Sequence, residues 1–139
     1  MKATVFSLAF LFSIFLGFSQ ESKGVTITVT VDNVSSDEGK VLLGLHTQDT
    51  FMKGPGIQNL ESTIKDGAVT MTFENVTPGN YAIMAMHDAN DNQSMDYEAN
   101  GMPKESYGMS GNEMTMGPPM FQDAQFEVGT VDLEFNIRF

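Results

Sequence analysis

The strongest constraint on the fold is the strict alternation of apolar and polar residues in two stretches, one beginning at residue 25 and one at the end of the sequence. In VTITVTV, residues 25 to 31, the aliphatic side chains fall on one face and the threonines on the other. In VDLEFNIRF, residues 131 to 139, every odd-numbered residue is apolar, and we expect all of them to face inward. A repeat of two residues turns one face of an extended strand towards a core, so both stretches predict half-buried β-strands.

Further strands are predicted between these two, at VLLGLH (41 to 46), AVTMTFENV (68 to 76), YAIMAMHD (81 to 88) and FQDAQFEV (121 to 128). The turn residues SSDEGK predict a hairpin between the first two strands. Gly54, Pro55 and Gly56 predict that residues 47 to 62 form an irregular connector. With at least six strands and no convincing helix, the fold class is all-β. We expect a single antiparallel β-sandwich of about seven strands, immunoglobulin-like or transthyretin-like, with one long ordered loop.

The first residues have the pattern of a secretory signal peptide. MKATVFSLAFLFSIFLGFSQ combines one lysine, an apolar run from residue 3 to 16 and small residues before Gln20. The run is shorter than the roughly 20 residues that span a bilayer. We therefore expect a signal peptide at residues 1–19 and a β-sandwich domain at residues 20–139. The protein is expected to be exported, periplasmic or secreted, and soluble without membrane insertion after cleavage.

Composition excludes several classes of function. The chain has no cysteine, so thiol catalysis and disulfides are excluded. It has 18 acidic and 7 basic residues and a net charge of -11, which repels phosphate backbones. Nucleic acid is therefore not an expected partner, whereas an unidentified protein or glycan partner is compatible with this charge.

The segment HDANDNQSMDYEANG, residues 87 to 101, has the donor spacing of the first half of an EF-type calcium loop. Counting Asp88 as position 1 places Asn90, Asn92 and Asp96 at positions 3, 5 and 9. The predicted ligands of a structural calcium ion are Asp88, Asn90, Asn92, Ser94, Asp96 and Glu98. Gln93 replaces the usual glycine and Ala99 the bidentate acid, which predicts weak binding, roughly 0.1 to 1 mM. Asp91, Glu98 or Glu105 could compensate. The alternative is an ordinary polar turn.

Two other functions compete with a calcium site. Thioether and imidazole groups bind Cu(I), and the candidate ligands are Met102, Met109, Met114, Met116, Met120, His46 and His87. Methionine is also an adaptable filler of apolar gaps, which accounts for the same residues without a metal. A carbohydrate-active enzyme or carbohydrate-binding module would use Asp88, Asp96 or Glu105 as its acid and base. Because the chain has no recognisable nucleophile elbow, phosphate loop or zinc motif, we expect a protein that is not an enzyme.

Residues 73 to 110 closely resemble the family catalogued as domain of unknown function 2141, small exported bacterial proteins with no assigned biochemical role. The shared residues are Pro78, Gly79, Tyr81, Ala82, His87, Asp88, Asn90, Asn92, Asp96, Gly101, Pro103, Glu105, Tyr107, Gly108, Ser110, Gly117, Pro118, Pro119, Phe121, Asp123 and Ala124. A weaker resemblance of residues 73 to 83 to transthyretin-like and carboxypeptidase-regulatory-like modules implies a sandwich used for binding or as a scaffold. We therefore expect an exported binding or structural module.

Overall fold

The computed structural model of this chain describes residues 23–113 and 116–139, so the predicted signal peptide lies outside the described residues. The described residues form eight strands and one short helix. In chain order these are β1 (Val25–Val31), β2 (Lys40–His46), β3 (Gln58–Thr63), β4 (Val69–Val76), β5 (Gly79–Asp88), β6 (Tyr107–Met109), α1 (Phe121–Ala124), β7 (Phe126–Val128) and β8 (Leu133–Asn136). Within these two ranges, no helix has the length and apolar character needed to cross a membrane.

The strands form two sheets, which confirms the predicted β-sandwich. The first sheet has three strands in the order β4-β1-β8, and the second has five, with β3-β2-β5-β6 in order and β7 paired to β5. All of the pairs are antiparallel except β1 with β8, which run parallel. The inner faces of the two sheets enclose the core, as the alternation in β1 predicted. The largest fully buried side chains of this core include Phe73, Ile27, Leu43, Leu45, Ile83 and Ile137.

The predicted hairpin between β1 and β2 is wrong, because the two strands lie in different sheets. β1 pairs with β4 and β8, whereas β2 pairs with β3 and β5. The connection between β1 and β2 is held by Asp37, whose carboxyl oxygens accept the N–H groups of Asp66 (3.2 Å) and Gly67 (2.8 Å). Periodicity shows which face of a strand is buried but not which strand is its neighbour.

The connector predicted at residues 47 to 62 contains a strand that the sequence pattern did not reveal. β3 pairs with β2 from Lys40 opposite Thr63 to Leu45 opposite Gln58. Its sequence, QNLEST, has a single large apolar residue, and its side chains are at most half-buried. An edge strand needs backbone pairing on one side only, so it forms without the apolar alternation that identifies a central strand.

The last two predicted strands are shorter than expected. Residues 121 to 124 form helix α1, in which Phe121 and Ala124, three positions apart, are both buried, and only Phe126–Val128 is strand. β8 covers Leu133–Asn136, and Val131 is 71% exposed rather than inward-facing. The N–H of Thr26 is bonded to the side chain of Asp132 (2.9 Å) before the pairing of β1 with β8 begins. The alternating pattern therefore extends beyond the strand itself.

A second apolar cluster lies outside the sandwich core, against the outer face of the five-stranded sheet. It consists of Phe51, Ala82, Met109, Phe121 and Ala124, with Met84 packed against it. The short strand β6, which the sequence did not predict, contributes Met109. This cluster covers one end of the outer face and leaves the rest of that face for a groove.

Candidate functional site

A groove of about 1350 Å³ lies on the outer face of the five-stranded sheet. Its floor includes Leu42, Met84 and Met86. Leu42 is directly opposite Met86 in the β2–β5 register, and Gly44 is opposite Met84. On the opposite face of β2, Val41, Leu43 and Leu45 are buried in the core. The alternation that builds the core on one face of β2 therefore leaves an apolar, methionine-rich floor on the other.

Residues 88 to 105 form one wall of this groove, and we call this segment the acidic loop. It contributes Gln93, Met95, Tyr97 and Met102 to the lining. The lining also includes Gly54 and Pro55 and the turn of Gly117, Pro118 and Pro119. The calcium-type residues thus lie on the segment that borders the groove.

Asp88, the first predicted calcium ligand, is fully buried and holds the acidic loop to the end of β5. Its Oδ1 accepts the N–H of Asn92 (3.1 Å) and its Oδ2 accepts the N–H of Gln93 (2.8 Å). Gly39 packs so closely that a Cβ at this position would lie 1.9 Å from the Asp88 carbonyl oxygen. Asp88 therefore shapes the backbone of the turn in the absence of any ion.

Three of the other predicted ligands converge beside it. Asn90 Nδ2 donates to Asp96 Oδ2 (2.7 Å), and Asn92 Nδ2 lies 2.9 Å from the same oxygen and 3.1 Å from Asp96 Oδ1. The backbone N–H of Asp96 donates to Glu105 Oε2 (2.8 Å). Among the described residues, Glu105 Oε1 is a buried oxygen without a hydrogen-bond partner. This arrangement gathers three predicted ligands around the Asp96 carboxylate, with the amide nitrogens of Asn90 and Asn92 facing it.

The remaining two predicted ligands lie apart from that cluster. The N–H of Ser94 donates to Asn92 Oδ1 (3.0 Å), and Glu98 lies in the next turn, where its backbone pairs with Met102 (2.7 Å) and Gly101 (2.9 Å). Across residues 23–113 and 116–139, no group of three or more His, Asp or Glu side chains is placed to hold a metal ion. A calcium site here would have to use amide and backbone oxygens in addition to Asp96.

The acidic loop is tied to the sheet through Gln93. Gln93 has φ 64°, so the residue that replaces the expected glycine still adopts the left-handed conformation. Its Nε2 donates to Glu61 Oε2 (3.1 Å), and Lys40 Nζ lies 3.1 Å from Glu61 Oε1 and 3.6 Å from Asp91 Oδ1. These bonds hold the pKa of Glu61 below its ordinary value, with the Gln93 bond as the largest cause, and the same acids raise the pKa of Lys40.

The two histidines have different environments. His87 is buried, and its Nε2 donates to the carbonyl oxygen of Glu38 (2.8 Å), which ties β5 to the connection before β2. His46 lines the groove, and its Nδ1 lies 3.2 Å from both the carbonyl oxygen and the Oγ1 of Thr50. Burial lowers the pKa of His46, against a smaller opposing effect of the Thr50 bond, so the neutral imidazole is favoured.

The methionines proposed for copper lie in different places. Met109 is buried in the second cluster, whereas Met102, Met116 and Met120 are exposed. Met114 lies outside the described residues. Met84 and Met86, which belong to a predicted strand and were not among the copper candidates, line the groove together with Met52. Only the pairing of β2 with β5 shows that they share a face with His46.

The carboxylates considered for glycoside chemistry all accept hydrogen bonds from groups within the acidic loop. Asp88 accepts two amide N–H groups, and Glu105 accepts the N–H of Asp96. Asp96 accepts the two asparagine side chains. These three carboxylates therefore belong to a hydrogen-bond network that orders the acidic loop.

Comparison with known proteins finds one family. A sequence model described as "Uncharacterized protein conserved in bacteria (DUF2141)" matches residues 29–136. No curated protein and no solved structure matches the chain.

Proposed function

This chain belongs to the DUF2141 family of bacterial proteins, and we propose from the geometry of its groove that it is an exported, non-catalytic binding module. The observation that carries the proposal is the partly exposed apolar floor formed by Leu42, Met84 and Met86. Contiguous apolar surface bordered by polar groups is typical of interaction sites. An open groove of about 1350 Å³ also exceeds the roughly 300 to 1,000 Å³ of common small-molecule pockets.

The partner that best fits this groove is an apolar protein segment with basic flanks. Methionine side chains are flexible and polarisable, so a methionine-rich floor adapts to different apolar partners. The protein carries a net charge of -11, and the acidic loop beside the groove has five acidic residues and one basic residue: Asp88, Asp91, Asp96, Glu98, Glu105 and Lys104. Opposite charge on the partner would speed association and exclude acidic competitors.

A pair of synthetic peptides tests this proposal. One is an amphipathic peptide of leucine and lysine, and the other has the same leucines with glutamate in place of lysine. We expect calorimetry to detect binding of the basic peptide, weakened by added salt, and no binding of the acidic one. Leu42→Asn should weaken binding by about tenfold or more, because a buried leucine contributes about 1.5 to 3 kcal/mol.

Val131→Asn is the matched control, since Val131 is 71% exposed and does not line the groove. Equal binding of both peptides, or equal loss of binding in Leu42→Asn and Val131→Asn, would contradict the proposal.

We also propose that calcium stabilises the acidic loop. The supporting observation is the convergence of Asn90 and Asn92 on Asp96. A half-turn of each terminal amide would replace its nitrogen by a carbonyl oxygen at the same position. That rotation breaks the bonds in which Asn90 Oδ1 and Asn92 Oδ1 accept the N–H groups of Asn92 and Ser94, consistent with the weak binding that the sequence predicts.

Thermal unfolding in EDTA and in about 10 mM calcium tests the ion site. For a dissociation constant of roughly 0.1 to 1 mM, binding to the folded state adds about 1 to 3 kcal/mol of stability. Asp96→Asn should remove this increment. Asp88→Ala is a poor test, because it leaves two backbone N–H groups without acceptors whether or not an ion binds. If calcium adds no stability at matched ionic strength, the calcium proposal is wrong, whereas the groove proposal is unaffected.

A further inference from the structure

His46 presents a nitrogen lone pair to the groove. Its Nδ1 lies 3.2 Å from the carbonyl oxygen of Thr50, and because a carbonyl can only accept, the proton of the neutral ring is on Nδ1. The Thr50 hydroxyl fits this assignment, since it accepts the N–H of Thr47 (3.0 Å) and donates to the Thr47 carbonyl (3.4 Å). Nε2 is therefore unprotonated, and it has no hydrogen-bond partner among residues 23–113 and 116–139.

The position of Nε2 follows from Gly44. A Cβ on Gly44 would lie 2.6 Å from Nε2, so the imidazole extends along the strand and lies over this glycine. The cross-strand neighbour of Gly44 is Met84. The ring of Phe51 makes an edge contact with His46 at 6.0 Å between centroids, and Met84 packs against the cluster to which Phe51 belongs. The lone pair and the Met84 thioether thus share one end of the groove.

Met52 is the candidate for a second thioether ligand. It follows Phe51 in the chain, lines the groove and is 54% exposed. Its φ is 58°, a left-handed conformation that non-glycine residues adopt rarely. Residues held in such conformations are concentrated at ligand sites.

We propose that His46 Nε2, Met84 Sδ and Met52 Sδ form a site for a soft monovalent metal ion, Cu(I). Thioethers select Cu(I) over hard cations, and imidazole is a good copper ligand. The hydrogen bond from Nδ1 to a backbone carbonyl is the second-shell arrangement that orients metal-binding histidines. Asn59 Oδ1 lies near Gly44, but it already accepts the N–H of Gly56 (3.0 Å) and is not counted among the ligands. The site keeps His46 from the copper set suggested by the sequence, but it uses Met84 and Met52 in place of His87 and the methionines Met102, Met109, Met114, Met116 and Met120.

Binding is tested with Ag(I), a redox-inert soft ion, and with Cu(I) under anaerobic conditions in competition with a chromogenic chelator. We expect one ion per chain, with a shift of the Nε2 resonance of His46 and of the methyl resonances of Met84 and Met52. Met84→Leu keeps the volume and should weaken binding at least about tenfold. His46→Gln should do the same.

Met86→Leu is the matched control, because Met86 lies on the same face of the same strand but opposite Leu42, farther from His46. Affinity within about twofold of the unmodified protein is expected for it, and thermal melts establish that each variant is folded. The proposal is overturned by absence of stoichiometric binding, by binding that survives in both Met84→Leu and His46→Gln, or by an equal loss in Met86→Leu. Because the peptide assay uses metal-free protein, failure of this site and failure of the groove proposal are distinguishable.

Discussion

At the residue scale, the acidic loop depends on a non-glycine residue in a left-handed conformation. Gln93 adopts φ 64° at the position where an EF-type loop has glycine. The buried Asp88 carboxyl stabilises this turn by accepting the Gln93 N–H at 2.8 Å. The side chain adds a bond to Glu61, so a residue with backbone strain also joins the loop to the sheet.

Two substitutions of Gln93 separate the strain from the side-chain bond. Gln93→Ala and Gln93→Gly both remove the bond to Glu61, but only glycine relieves the left-handed conformation. We expect Gln93→Gly to be more stable than Gln93→Ala by about 1 kcal/mol in urea unfolding. Equal stabilities would show that the turn is not strained at this residue.

The same bond predicts a measurable titration effect. The pKa of Glu61 lies below its ordinary value of 4.5 because Gln93 and then Lys40 stabilise its charged form. The associated stability is present above pH 4.5 and is lost as the pH falls through the lowered pKa. In NMR titrations, Gln93→Ala should raise the Glu61 pKa towards 4.5. An unchanged pKa in this variant would contradict the bond, whereas Ser36→Ala, remote from Glu61, serves as the control.

At the scale of elements, the last alternating segment, residues 131 to 139, shows where an alternating pattern fails to predict burial. Val131 and Ile137 occupy equivalent positions in the pattern, yet Val131 is largely exposed and Ile137 is fully buried. Beyond the end of β8, the N–H of Ile137 still donates to the carbonyl of Thr30 (2.9 Å), which keeps this side chain in the core. Ahead of β8, the Asp132 side chain bonds to the backbone of β1.

Alanine substitutions at these two positions should therefore differ strongly. Ile137→Ala creates a cavity in the core and should cost about 2 to 5 kcal/mol, whereas Val131→Ala should change stability by less than about 0.5 kcal/mol. Chemical denaturation of both variants gives the comparison directly. Comparable losses at the two positions would mean that Val131 also faces the core.

At the scale of the whole molecule, charge repulsion is the dominant long-range interaction. With 18 acidic and 7 basic residues, the net charge is -11, so repulsion between acidic groups outweighs attraction at long range. Salt shortens the screening length from about 30 Å at 0.01 M to about 8 Å at 0.15 M, so it weakens this repulsion more than short-range bonds. The melting temperature should rise over this range of sodium chloride. A fall would indicate that ion pairs such as Lys40 with Glu61 outweigh repulsion. As a control, Asp96→Asn, which lacks a proposed calcium ligand, should show the same response to sodium chloride as the unmodified protein.

The sequence by itself determined the all-β class, the inward face of β1 and β4 and the family, because these depend on local alternation and on motifs read along the chain. It also located the acidic loop, since its oxygen-bearing residues are adjacent in sequence. Only the tertiary structure decided which strands are neighbours, where α1 replaces a strand, and that Met84 lies beside Gly44 and His46. Strand pairing joins residues far apart in the chain, and the pattern within one strand contains no record of its partner. The groove belongs to this second category, because its floor exists only after β2 and β5 have paired.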